Sequence, residues 1–132
     1  MTFTIPQRHC QCVVCRQPFF GEQTLQFETT QTGAVQAQIV ASDKVQGYQG
    51  VMQGGLISTL HDSAMLHCLF SLGVEAMTAS IDVRFHHPVP INTPIVIQAR
   101  LVSQRRKLYQ LESYIYCGEQ LCSSAKSRFI QT

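Results

Sequence analysis

From Gly54 to Leu72 the chain carries no proline and offers almost no polar face. Leu56, Leu60, Ala64 and Cys68 recur at helical spacing, while Ile57, Met65, Leu66, Leu69 and Phe70 fill much of the remaining circumference. A helix of this kind must be covered on most sides, and Gly73 is well placed to end it. At 132 residues the chain has the size of one domain, so the cover has to come from the rest of the same chain.

That remainder reads as strand. Leu25 and Phe27 in Thr24–Thr30, then Val35, Ala37 and Ile39 in Ala34–Ala41, alternate with polar residues across Thr32-Gly33, as in a hairpin. After the helix, Met77, Ala79, Ile81, Val83 and Phe85 are expected on one face and Thr78, Ser80, Asp82, Arg84 and His86 on the other, up to the stop at Pro88. Further strands are expected over Ile95–Ser103, Lys107–Cys117 and Gln120–Gln131, the last two joined by Gly118-Glu119, a pair suited to a type II′ turn. Two strands, one long helix and four strands argue for an α+β fold in which one antiparallel sheet curls around the helix. Residues 1–23, broken by Pro6, Pro18 and Gly21, form a lead-in to a single domain over 24–132.

Composition narrows the function classes. A net charge of +2, no Trp and no dense Lys/Arg run with interleaved aromatics speak against nucleic-acid binding. No window approaches the apolar length needed to span a bilayer, and the first residues lack the pattern of a secretory signal, so a soluble cytoplasmic protein is expected. Six cysteines in a reducing compartment should then be free thiols. Charged residues make up only 14% of the chain, which leaves surface for a second copy to cover.

Chemistry concentrates at the helix. Gly54-Gly55 opens it, where the first N–H groups have no intrahelical partner and carry the positive end of the helix dipole. Without Cβ atoms, the pair lets a carbonyl approach the backbone closely, although two glycines can equally serve only to shape the turn. Asp62 lies on the same helix in a mainly apolar surround, either satisfied by a neighbour such as Ser58 or Ser63 or available as base or nucleophile. Eight residues of helix at about 1.5 Å each separate Gly54 from Asp62 by ~12 Å, so one carbonyl cannot touch both in one chain. If both serve one substrate, the acid must come from a second protomer about a two-fold axis.

The run Gln46-Gly47-Tyr48-Gln49-Gly50-Val51-Met52-Gln53-Gly54-Gly55, continuing to Asp62-Ser63-Ala64, resembles the loop and HGG-x5-D-x-A helix start of the PaaI-type (phenylacetate-pathway) thioesterases of the hotdog superfamily. Ser80–Val89 resembles their following strand, and Cys12-Val13-Val14-Cys15 sits where many relatives have a short cysteine-containing lead-in. The resemblance implies a hotdog fold, a homodimer or homotetramer and hydrolysis of acyl-CoA. It implies Asp62 as general base or nucleophile, the Gly54 N–H as oxyanion donor, and a Ser or Thr near the acid of the other subunit, for which Ser80 is the first match and Thr78 the second. Gly55, Gln53 and Gln46 would help to hold the thioester.

Two positions depart from the family pattern. Gln53 replaces a histidine and cannot titrate, which opens the alternative of a non-catalytic acyl-CoA-binding module. It also argues against a hotdog dehydratase, which needs that histidine. At Gly47 several relatives have Asn or Gln, a role for which Gln46 or Gln53 is available.

No metal or redox cofactor is expected. His9, Cys10, Cys12 and Cys15 lack the second ligand pair of a closed zinc site. His86 and His87 should point to opposite faces, His61 lies about 100° around the helix from Asp62, and His67 reads as core or interface.

Overall fold

In the computed structural model, which describes residues 3–132, a six-stranded antiparallel sheet of order β1-β2-β4-β5-β6-β3 holds one long helix. The strands are β1 (Glu28–Gln31), β2 (Ala34–Val40), β3 (Ala76–Phe85), β4 (Pro94–Arg105), β5 (Leu108–Cys117) and β6 (Gln120–Gln131), and the helix is α1 (Gly54–Ser71). Helix α1 packs against β2 through β6, so the concave side of the sheet covers the apolar circumference that the sequence demanded. This is the hotdog architecture.

The ends of the elements have local causes. Gly73, at φ 73°, closes α1: its N–H donates to Phe70 O and that of Val74 to Leu69 O, a Schellman arrangement that satisfies two orphan carbonyls. Gly118 carries φ 60° and Glu119 does not turn positive, as a type II′ hairpin between β5 and β6 requires. Strand β1 is shorter than the alternation suggested. Leu25 and Phe27 are buried, but they lie outside the ladder and contribute side chains rather than backbone pairing.

One expected alternation is overturned. The pairing of β3 with β6 slips between Thr78 and Ser80, so that Thr78 lies opposite Phe129 and Ser80 opposite Arg128. Directly paired residues share a face. Phe129 is fully buried against the helix side and Arg128 is exposed, so the bulge puts Thr78 on the inner face and Ser80 on the outer. Ile81, Val83 and Phe85, opposite Ser127, Ala125 and Ser123, return to the inner face.

The core includes a polar chain. His61, 0% exposed, approaches Ser113 Oγ at 2.5 Å through Nδ1 and Ser123 Oγ at 2.8 Å through Nε2, while Ser123 donates its hydroxyl to Arg84 O at 2.8 Å. Since Ser123 has spent its one proton, it accepts from Nε2–H, and Nδ1 accepts from Ser113. Burial pushes the ring down from 6.5 to about 4, so it is neutral and every partner is satisfied. No helix among the described residues is long and apolar enough to cross a membrane.

Candidate functional site

Gln53 is the residue before α1, and its side chain caps the helix: Oε1 accepts from Leu56 N at 2.9 Å. Its backbone N–H is tied to Val45 O, and Gly47 lies so close that a Cβ there would stand 2.9 Å from Gln53 Cα. The glycine at 47 is therefore set by packing on Gln53. Gln46, a candidate carbonyl holder, accepts from Gly50 N–H at 2.8 Å through Oε1, which pins the loop. Gly54 and Gly55 are both exposed at the helix start. A Cβ on Gly55 would come within 3.0 Å of Gln53 Oε1, whereas one on Gly54 would only reach ordinary contact with Phe85 Cε1 at 3.8 Å.

Asp62 is half-buried, two turns further along. Its partner is neither Ser58, which bonds back to Gly54 O, nor Ser63, which meets Cys15. Thr78 Oγ1 donates to Asp62 Oδ1 at 2.6 Å within the same chain. Ser80, carried outward by the bulge, lines a different depression with Asp82, Gln110 and Arg128. Strand β3 thus runs back along the helix, with Thr78 beside Asp62 and Phe85 beside Gly54.

A cleft of about 440 Å³ opens next to Thr78, floored by Leu66, Phe70, Ala76 and Met77 and rimmed by Arg8 and His9. The lead-in segment forms part of this wall. Arg8 bonds Glu75 and Thr132 at 3.0 and 2.7 Å, and Cys15, 2% exposed, reaches Ser63 Oγ at 3.5 Å. His67 stacks on Phe27 with centroids 4.7 Å apart, and its Nδ1 meets Ser63 O rather than the Asp62 side chain, at 2.7 Å. His86 and His87 lie exposed beyond the end of β3. The basic run Arg105-Arg106-Lys107 is an exposed turn with Arg106 at φ 57°.

A carboxylate held by a hydroxyl, a glycine pair at the positive end of a helix and an adjoining apolar cleft are parts suited to acyl transfer. Nothing in the sequence announced the capping role of Gln53 or the place of Phe85 over Gly54. The nearest signal was the family-like Gln-Gly-Gly run itself.

Comparison with known proteins agrees. The mouse acyl-coenzyme A thioesterase THEM4 is 35% identical over 66 residues, 49% of this chain and 28% of that protein, so the match spans under a third of the relative. A crystal structure of a thioesterase superfamily protein superposes with TM-score 0.79 at 23% identity, over 86% of this chain and 62% of the other. A Streptococcus mutans protein crystallised with acetyl CoA superposes with TM-score 0.77 at 21% identity, over 83% and 90%. The family model of the thioesterase superfamily matches residues 49–123, from the loop before α1 into β6. With more than half of its length in that match, this chain belongs to the thioesterase superfamily.

Proposed function

We propose that the chain hydrolyses acyl-CoA thioesters at sites shared between two protomers, in the manner of PaaI-type enzymes. The observation that carries the reading is the layout of β3, which holds the Thr78–Asp62 pair at one end and the Gly54 contact at the other. Strand β3 is also an edge strand of ten residues, with Met77 67%, Ile81 37% and Phe85 56% exposed. Such an edge invites pairing with another strand. Antiparallel pairing with its own copy, about an axis between Ile81 and Asp82, sets the Asp62 end of one protomer against the Gly54 end of its partner. The ~12 Å along the helix is then spanned by the two-fold axis rather than by one side chain.

In this arrangement the Gly54 N–H of one chain stabilises the developing oxyanion, and Asp62 of the other activates water or attacks the carbonyl. Thr78 orients the carboxylate. Gln53 acts indirectly, by fixing the helix start. In the lead-in 1–23, Arg8 and His9 help to wall the acyl cleft of the domain over 24–132. The six free cysteines suit a reducing, cytoplasmic setting.

The test is thiol release from short, medium, aromatic and long acyl-CoAs by the wild type and by Asp62→Asn. Equal rates would remove Asp62 from the chemistry. Binding without turnover for every acyl group would make the chain an acyl-CoA-binding module instead. Mixing Asp62→Asn with Gly54→Ala protomers should restore about one intact site per mixed dimer, and no recovery after confirmed subunit exchange would sink the shared site.

A further inference from the structure

We propose that His9, Cys12 and Cys15 bind a thiophilic divalent cation, zinc by their ligand chemistry, on the lead-in segment beside the Asp62 region. The segment brings one donor atom from each residue within 4.8 Å of the other two. Tetrahedral ligands at about 2.0–2.3 Å from zinc stand roughly 3.5–3.8 Å apart, so closure needs side-chain adjustment of about 1 Å and no change of fold. Turn hydrogen bonds from His9 N–H to Pro6 O, Cys12 N–H to His9 O and Arg16 N–H to Cys12 O already set the backbone.

Two further features single out this cluster. The Nε2 atom of His9 is buried with no hydrogen-bond partner, the one such side-chain N or O atom among the described residues. Packing explains the ring, which meets Phe70 edge-on at 4.9 Å, but leaves that nitrogen an uncompensated burial. A metal–nitrogen bond supplies what is missing. The backbone N–H of Cys15 also donates to Cys12 Sγ at 3.3 Å, an interaction that stabilises a thiolate.

The spacing His9-x2-Cys12-x2-Cys15 draws all three ligands from one continuous turn, which is why a search for two separated pairs misses it. Three protein ligands leave the fourth tetrahedral position for water or another small ligand. Binding breaks two S–H bonds, releases two protons to solvent and forms two metal–sulfur bonds and one metal–nitrogen bond, with no electron transferred. The site lies close enough to Asp62 for that carboxylate's charge to act on both His9 and Cys15, and His9 also borders the apolar cleft.

The experiment titrates cobalt(II) into the reduced full-length chain under anaerobic conditions and reads the thiolate-to-cobalt charge-transfer band. One equivalent per chain is expected, with the band abolished by added zinc. Cys15 is buried and its loss risks the fold, so the variants are Cys12→Ser and His9→Phe, the second keeping a ring against Phe70. Each should weaken cobalt binding at least tenfold while far-UV circular dichroism stays unchanged. Cys10→Ser should leave the band intact, since Cys10 is exposed and accepts from Gln7. Absence of a band, a full band in both Cys12→Ser and His9→Phe, or loss of the band in Cys10→Ser would overturn the assignment. None of these readouts involves thioester turnover, so failure here is distinct from failure of the hydrolase reading.

Discussion

Thr78 and Asp62 form a 2.6 Å hydrogen bond inside one chain, across the gap between the first residues of β3 and the middle of α1. The bond exists because a bulge turns Thr78 inward two residues before Ser80 is turned outward. Thr78→Val removes the donor and leaves the volume nearly unchanged. It should lower kcat/KM about tenfold, as expected for one hydrogen bond to a charged group. Ser80→Ala should stay within about twofold, and steady-state hydrolysis of the best acyl-CoA separates the two. An equal loss at both positions would contradict the bulge assignment.

Gln53→Ala deletes the cap on Leu56 N and should destabilise the fold by about 1 kcal/mol. Urea unfolding should show a lower midpoint at unchanged slope. Gln53→Asn, a better cap by residue type, should recover much of the loss. A catalytic role for this side chain would instead show as lost turnover in Gln53→Asn at full stability.

Gly47→Ala introduces a Cβ 2.9 Å from the Gln53 backbone, so one of the two segments has to move. The expected cost is about 1–3 kcal/mol, with turnover falling further because the displaced segment leads into Gly54. Gly54→Ala makes only ordinary contact with Phe85 and should fold normally while turnover drops. Thermal unfolding and kinetics on the two variants distinguish a misplaced loop from an obstructed N–H.

Acid should destabilise the protein through His61. Its folded value is about 4 against 6.5 for the free side chain. Above pH 6.5 neither state takes the proton and the group contributes nothing. Below 6.5 the unfolded chain is protonated while the folded chain resists until about 4, so stability falls across that window, by on the order of 3 kcal/mol in full. His61→Gln supplies an amide donor and a carbonyl acceptor without titrating, and should remove about half of the decline measured by urea unfolding at pH 4 to 7, since burial also pushes His67 down to about 4. An unchanged slope would mean that another group carries it.

Ile81→Lys places a charge at the middle of the exposed β3 edge. If that edge pairs with its copy, light scattering should report a monomer and hydrolysis should fall at least tenfold while the circular dichroism spectrum is retained. A dimer of full activity would move the interface elsewhere.

Much of this fold is readable from residue order. The apolar circumference of Gly54–Leu72 required a wrapped helix, and alternation located β2 to β6 within a few residues, because β2 and β4 to β6 each have one covered face and the edge strand β3 keeps the same alternation with both faces largely open. The bulge was hidden because alternation records side-chain polarity and not ladder register, and Ala79 is small enough to suit either face. Gln46 and Gln53 read as ligand holders in the sequence; what sequence spacing does not resolve is that each also has its Oε1 on a backbone N–H, which ties it to the loop or to the helix start. His61 stood next to Asp62 in the sequence, yet its partners are two serines more than fifty residues away.

That buried imidazole bears on motion as well as on pH. Its chain of hydrogen bonds runs from Ser113 on β5 through His61 on α1 and Ser123 on β6 to the carbonyl of Arg84, next to Phe85 on β3. Helix and edge strand therefore share a polar tether in addition to apolar packing. Breaking it anywhere leaves buried groups unsatisfied, so the two elements should open to solvent together as one cooperative unit. In hydrogen exchange, the amides of mid-α1 and of the inner pairs of β3 and β6 should then fall into a single slow class, with the loop before Gly54 exchanging independently of it.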